Sequence, residues 1–430
     1  MISDLPAPGD ALPLPLVSRT VALDPAELPR DLIDLLPASG GLAWVRRGDG
    51  LVAWGETTRI RGDGPDRFVA AESAWRELAA RAVVRDEVRV PGTGPVAFGA
   101  FSFADRSPAG GVLVVPRVVV GRRGDAAWVT TIDAGAVAPG PAHLAPQPPP
   151  RTPGAVAYAD GALDARGWRR AVEHAVAEIR SGRLDKVVLA REVLATTTRP
   201  LDPRWVLHRL AAEYGACWTF AVDGMLGATP ELLLRSEKGL VTSRVLAGTI
   251  RRTGDDDADL AHAAMLAHSS KDLEEHEYAV SSLADSLAPF CSSTNVPETP
   301  FVLHLPNVLH LATDVTGVLA TGGGPAPSSL AIAAALHPTA AVAGTPTALA
   351  CELIERIEGI DRGRYAGPVG WIGADGDGEW AIALRSAEVG PDPHRLRLFA
   401  GCGIVAASDS TAELAESEAK LEPMRYALAE

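Results

Sequence analysis

Apolar and polar positions along this chain follow two periods, and the change between them organises the reading. Over residues 1–150 the apolar runs are short and extended. LAWVRRGDGLVAWG predicts a hairpin turning at GDG, AAESAWRELAARAV a helix, and PVAFGAFSF and VLVVPRVVVGRRGDAAWVTTI further strands. Phe98, Phe101 and Phe103 are expected in the core. From Trp168 the period becomes helical: Val172, Val176 and Ile179 recur on one face until SGRLD. DKVVLARE follows as a short strand with Lys186, Val188 and Ala190 on one side. Between the two regimes, APGPAHLAPQPPPRTPG is too proline-rich for helix or sheet. It either separates residues 1–150 from 155–430 or crosses the surface of a single domain.

The densest set of signals lies between Leu226 and Val280. TPELLLR and LVTSRVLAG are apolar-rich runs joined by the charged SEKG, which predicts an antiparallel hairpin. AGT then places Gly248 where backbone amides could approach a ligand. Beyond GDDDAD a helix is predicted, with Leu273, His276, Val280, Leu283 and Leu287 as its apolar stripe. Asp272, Glu275, Ala279, Ser282 and Ser286 form a neighbouring stripe of carboxylates and small residues, expected to face something other than bulk water. In TAELAESEAKLEPMRYAL, Glu413, Glu416 and Lys420 likewise run beside Leu414, Leu421 and Met424. Glu416 and Lys420 alone would be an ordinary i,i+4 pair worth about 0.3–0.5 kcal/mol. The recurrence of i,i+3 carboxylate pairs changes the picture, because two such pairs face to face offer hard oxygen ligands suited to Mg²⁺. Helical spacing does not show that the two helices meet.

Three further segments carry candidate chemistry. RGRYAGPVGWIGADGDGEWAIALRS predicts a hairpin turning at DGDG, with Trp371 and Trp380 on its strands. Arg385 ends an apolar strand, where a cation is costly unless it faces a carboxylate. Gly401 and Gly403 flank Cys402 at a strand end, a second place for close backbone approach, and His337 in LHPT is either a core histidine or a site residue. A Lys186 desolvated at its strand start would have its pKa lowered towards that of a useful base; otherwise it reaches into water.

Composition narrows the class. The 430 residues suffice for a large core, and 47% hydrophobic with 22% charged content is that of a globular protein. A net charge of -14 with no basic patch argues against nucleic acid. No signal peptide or bilayer-spanning run is evident, and the spacing of Cys217, Cys291, Cys351 and Cys402 suits neither a metal site nor a disulfide scaffold. A cytoplasmic monomer acting on a small molecule is the expectation, without nucleic acid or membrane partners.

DKVVLAR, TPELLLR, LAGTIRR, SKDLEEHEY, LHPTAAVAGTP, RYAGPVGW and AGCGIV with AELAESEAK closely resemble, in unbroken order, the chorismate-utilising enzymes. That family includes isochorismate, salicylate, anthranilate and aminodeoxychorismate synthases; the match covers about residues 160–430, and the N-terminal part fits loosely. The resemblance implies an α/β fold of α+β type: two large antiparallel sheets packed together, helices outside, residues 1–150 as a variable part of the same fold and 155–430 as the catalytic core. It also implies chorismate as substrate and Mg²⁺ as cofactor. Lys186 matches the general base and Glu231 the general acid. Glu275 and Glu416 match metal ligands, with Asp272 and Glu413 in support. Ala247, Gly248, Thr249, Tyr365, Arg385, Gly401, Gly403 and Lys420 match substrate-binding positions, and His337 and Ala341 are added from the segment around LHP. Ala247 stands where aminodeoxychorismate synthases often carry a nucleophilic lysine, and Ala341 where anthranilate and salicylate synthases carry threonine. Both point to the isochorismate synthases, with salicylate or anthranilate synthase as alternatives and a non-catalytic chorismate-binding paralogue behind them. Val245, Cys402 and Ser410 depart from the family pattern without removing a charge.

Overall fold

The apolar runs assemble into two large sheets, of 13 and 10 strands among the described residues. The computed structural model describes residues 14–135, 140, 142, 144–320 and 326–430, with the side chains of Lys271 and Glu275 left outside. The first sheet runs from Val156–Asp160 through Lys186–Thr197, Arg395–Ile404, Ser386–Val389, Met225–Thr229 and Trp218–Val222 into N-terminal strands beginning with Leu42–Arg46. The second passes from Val308–Leu319 through Leu240–Arg251, Leu232–Glu237, Gly378–Ile382 and Pro368–Gly373 to the N-terminal Val96–Phe101. N-terminal strands therefore extend both sheets: Phe220 pairs with Trp44 in one and Trp371 with Phe98 in the other. Pairing among the described residues is antiparallel except between Leu16–Leu23 and Val83–Asp86, which run parallel at an edge.

The sheets share one core. Trp44, Phe220, Phe98, Trp371 and Trp380 are all buried in a single apolar cluster. The Trp44 indole of the first sheet donates to Glu379 of the second at 2.9 Å, which keeps a buried polar group satisfied across the interface. Helices lie outside. Ala165–Arg180 is capped by Asp164 and buries Trp168, Val172, Val176 and Ile179. Ser410–Leu428 buries Leu421 and Met424, with Leu414 half-buried. Phe98, Phe101 and Phe103 are core. Within the described part of the proline-rich stretch, residues 144–154, Gln147 N–H donates to Asp34 O at 2.9 Å and Arg204 donates to Pro148 O at 2.9 Å, holding it against the fold. No helix among the described residues is long and apolar enough to cross a membrane.

Local departures from the sequence reading have simple causes. The first hairpin turns at Arg47–Gly48, one residue before GDG, because both adopt positive φ and Arg46 pairs with Asp49. The helix after GDDDAD is two helices, Asp256–His268 and Ser270–Leu287; Ser269 breaks the run, and its side chain caps the second by accepting from Asp272 N. On that second helix Val280, Leu283 and Leu287 are buried, each worth ~1.5–3 kcal/mol. Ser282 and Ser286 face water, contrary to expectation; the Ser286 hydroxyl donates back to Ser282 O at 2.8 Å.

Candidate active site

The longest strands of each sheet lend their ends to one cavity of about 210 Å³. Lys186 opens the strand Lys186–Thr197, and Val188 and Ala190 follow it along the cavity wall. Opposite them, Gly403 pairs with Val188 and Gly401 with Ala190. A Cβ at Gly401 would stand 3.1 Å from the Tyr365 hydroxyl and 3.3 Å from Leu189 O, so glycine keeps this floor open. The Tyr365 ring stacks on Phe399 at 4.9 Å, and burial pushes its hydroxyl up to about 12, so it stays a neutral donor.

Glu231 sits where the chain leaves the first sheet at Thr229 and enters the second at Leu232. Its own backbone is fixed: Ile382 N–H donates to Glu231 O at 3.1 Å, and Glu231 N–H donates to the Thr229 hydroxyl at 3.3 Å. Burial lifts its carboxyl to about 8, against the opposing pull of Lys186, Lys420 and Arg385. It is a carboxylic acid poised to donate at neutral pH.

Gly248 forms a bulge between Ala247 and Thr249, with φ 77°. The bulge brings its Cα against Asp272, whose Cβ would lie 3.2 Å from any added Cβ. The Thr249 hydroxyl meets His310 Nδ1 at 2.9 Å, and His310 Nε2 faces an Arg385 guanidinium nitrogen at 3.4 Å. With arginine as the donor, Nε2 accepts and Nδ1 carries the proton; burial, then the Arg385 charge, holds the ring neutral by pulling its pKa well down. The other terminal nitrogen of Arg385 is buried without a hydrogen-bond partner among the described residues. Arg385 is also in the left-handed region, with φ 49°, a conformation that costs about 1–3 kcal/mol off glycine. A strained, buried and half-satisfied cation calls for an anion.

The C-terminal helix supplies the other charges. Lys420 donates to Glu416 at 2.6 Å and to Gly401 O at 2.9 Å. Burial opposes the charge on both, but their pairing outweighs it, raising the lysine pKa and lowering that of the carboxyl. Ser408 donates to Glu413 at 2.7 Å. Asp272, Glu413 and Glu416 all line the cavity. Oxygens of Glu413 and Glu416 and the Cys402 sulfur lie within 4.8 Å of one another, although Cys402 does not line the cavity and its thiol donates to Glu413 O at 3.4 Å.

Lys186, Glu231, Ala247, Gly248, Thr249, Asp272, Ala341, Tyr365, Arg385, Gly401, Gly403, Glu413, Glu416 and Lys420 thus share one cavity. The Glu275 side chain lies outside the described residues. His337 is a correction. It does not line the cavity; its Nε2 meets Phe103 O at 3.0 Å and its ring packs against Phe68 and Phe103, so it is a satisfied core histidine. The site histidine is His310, signalled only as a polar residue within the apolar strand VLHLATDV. Arg362 and Ser408 were also missed, both lying in loops without periodicity. Val245, Cys402 and Ser410 leave the lining intact.

Comparison with known proteins shows the family and the fold. The family model described as "Chorismate binding enzyme" matches residues 44–137 and 141–429. The chain is 36% identical over 418 residues to the salicylate biosynthesis isochorismate synthase of Pseudomonas aeruginosa, covering 90% of this chain and 84% of that protein. It is 40% identical over 272 residues to the isochorismate synthase DhbC of Bacillus subtilis, covering 61% and 67%. The solved menaquinone-specific isochorismate synthase MenF of Escherichia coli superposes with TM-score 0.79 at 25% identity, covering 98% of this chain and 97% of that one.

Proposed function

Since this chain belongs to the chorismate-binding enzyme family, we propose that it is an isochorismate synthase, adding water to the diene ring of chorismate and expelling the ring hydroxyl. The observation that carries the reading is a buried, protonated Glu231 sharing a cavity with Lys186, with the buried cation Arg385 and with the half-buried Lys420. Lys186 takes a proton from the attacking water, and Glu231 gives one to the departing hydroxyl, which leaves as water. Arg385 holds a carboxylate through its unpaired nitrogen, and Lys420, anchored by Gly401 O, adds a second positive group. The hard oxygen donors on the cavity wall, Asp272, Glu413 and Glu416, fit Mg²⁺; Glu416 and, from the sequence pattern, Glu275 are the proposed ligands, supported by Asp272 and Glu413. When bound, the ion neutralises and orients the substrate carboxylate. A cytoplasmic location and supply of isochorismate to menaquinone, siderophore or other salicylate-derived synthesis belong to the same reading.

Product analysis tests it. Water and ammonia are competing nucleophiles, and isochorismate can lose its pyruvyl group in the same pocket. Ala341 lines the cavity and offers no hydroxyl to hold an intermediate for that second reaction. Chorismate with Mg²⁺ is expected to give isochorismate, little salicylate and, with ammonium, little anthranilate; Ala341→Thr should raise the salicylate fraction. Salicylate as the main early product of the wild type, or ammonium-dependent anthranilate, overturns the assignment within the family.

A pH profile gives a second check. Glu231 donates only while protonated, and its carboxyl is lifted to about 8. The kcat/KM should therefore fall about tenfold per pH unit above that value. The same raised value makes stability fall with pH: Glu231 imposes no penalty below the ordinary 4.5, stability is lost progressively as pH rises from there, and the cost is complete above about 8, where the buried carboxyl is ionised. A basic limb absent up to pH ~10 would remove Glu231 from the acid role.

A further inference from the structure

The strand that carries Lys186 has a gap along one edge. It pairs with Gly344–Thr345 only through Lys186 and Val187, and Val188 N–H then donates to Ala343 O at 2.8 Å. The next strand on that side, Val156–Asp160, joins only from Val193 onward. Two side chains stand in the gap where a strand would be. Arg362 donates to Val188 O at 2.7 Å, and Glu358 accepts from Ala190 N–H at 2.7 Å. Arg362 also donates from Nε to Glu358 at 2.9 Å and from a terminal nitrogen to Val342 O at 3.0 Å. Its guanidinium lies 4.2 Å from the centroid of the Phe103 ring. Both members of the pair are almost wholly buried, with side chains 3% and 1% exposed.

The carbonyls held by this one guanidinium belong to different cavity walls. Val188 lies two residues along the strand from Lys186, and Val342 follows Ala341; all four line the cavity. A planar fork with several donors fixes two carbonyls and a carboxylate at once, which a lysine ammonium does not reproduce. Apolar packing in the gap would leave the Val188 and Val342 carbonyls and the Ala190 N–H buried without partners. The pair therefore completes the strand edge and, in the same contacts, ties the two cavity walls to one rigid group.

We propose that Arg362 and Glu358 are positioning residues that set the gap between the strand bearing Lys186 and the Ala341–Val342 wall, and so place the attacking water against the ring. This rests on the isochorismate synthase reading. The test measures chorismate consumption and product for Arg362→Lys and Glu358→Gln beside the wild type, with chorismate affinity by calorimetry and folded fraction by circular dichroism. A misplacement on the order of 1 Å costs about 100-fold in rate, so kcat should fall by about that factor with KM and affinity within about threefold. Added guanidinium should partly restore an Arg362→Ala variant. If kcat per folded molecule stays at the wild-type value, or if affinity falls as far as kcat, the positioning role is overturned. Should these variants fail to fold, Phe103→Leu loosens the guanidinium while leaving its hydrogen bonds: a several-fold loss of kcat at constant KM supports the proposal, and unchanged kcat overturns it. A wild type that consumes chorismate without making isochorismate overturns the reaction instead, and the clamp is then judged by the variants' relative rate of consumption.

Discussion

Lys186→Ala is expected to lower kcat by about 10²–10⁴-fold, the usual worth of a positioned proton-transfer group, and Glu231→Gln to do the same. Chorismate affinity should change far less in both, because each group acts mainly on the transition state whereas Arg385 and Lys420 hold the anion in the ground state as well. The two substitutions test different atoms. Lys186 stands at the head of a strand in the first sheet, and Glu231 at the crossover into the second. Glutamine keeps the shape of Glu231 and a donor N–H, but it has no proton to release to the departing hydroxyl. Because acid and base serve one reaction, the double variant should lose little more than the worse single one. Turnover near the wild-type value in either single variant would remove that residue from its role.

Glu416→Gln should weaken Mg²⁺ binding by at least ~10–100-fold, the loss typical even of groups that merely support a ligand, and Mg²⁺-dependent turnover should fall with it. Glu275→Gln should behave alike. Glu416 is partly exposed and lies on a long helix buried by other residues, so folding should survive, and circular dichroism can verify this. Glutamine can still accept a hydrogen bond from Lys420, so the substitution removes the carboxylate charge while keeping that contact. Calorimetry showing unchanged Mg²⁺ affinity in both variants would take these residues out of the metal site.

Much of the site was legible because it depends on local chemistry. SEKG fixed the hairpin that follows Glu231, and its register bears this out, with Glu237 paired to Leu240. The i,i+3 spacing of Glu413 and Glu416 needed only a helix, and both residues line the cavity. What stayed hidden was whatever depends on elements meeting. Periodicity marks a buried face without naming its neighbour, so His337 was singled out and His310 passed over; one faces Phe103 and the other Arg385. Likewise Glu231 reads as part of one strand, although the chain changes sheets on either side of it. Arg362 lies in a loop whose importance comes from an edge gap in a distant strand. The break at Ser269 carries no glycine or proline, and its capping role shows only once Asp272 is placed.

The interleaving of the sheets also bears on how the chain is made. The Trp44–Glu379 bond joins residues 335 positions apart, and the strand bearing Lys186 takes Arg395–Ile404 as its central partner. On a ribosome the early strands of both sheets emerge long before the segments that complete them. Until then they present unpaired edges, the surfaces on which nascent chains aggregate or recruit chaperones. Activity should therefore be among the last properties to appear during synthesis or refolding, arriving only when the late strands close both sheets.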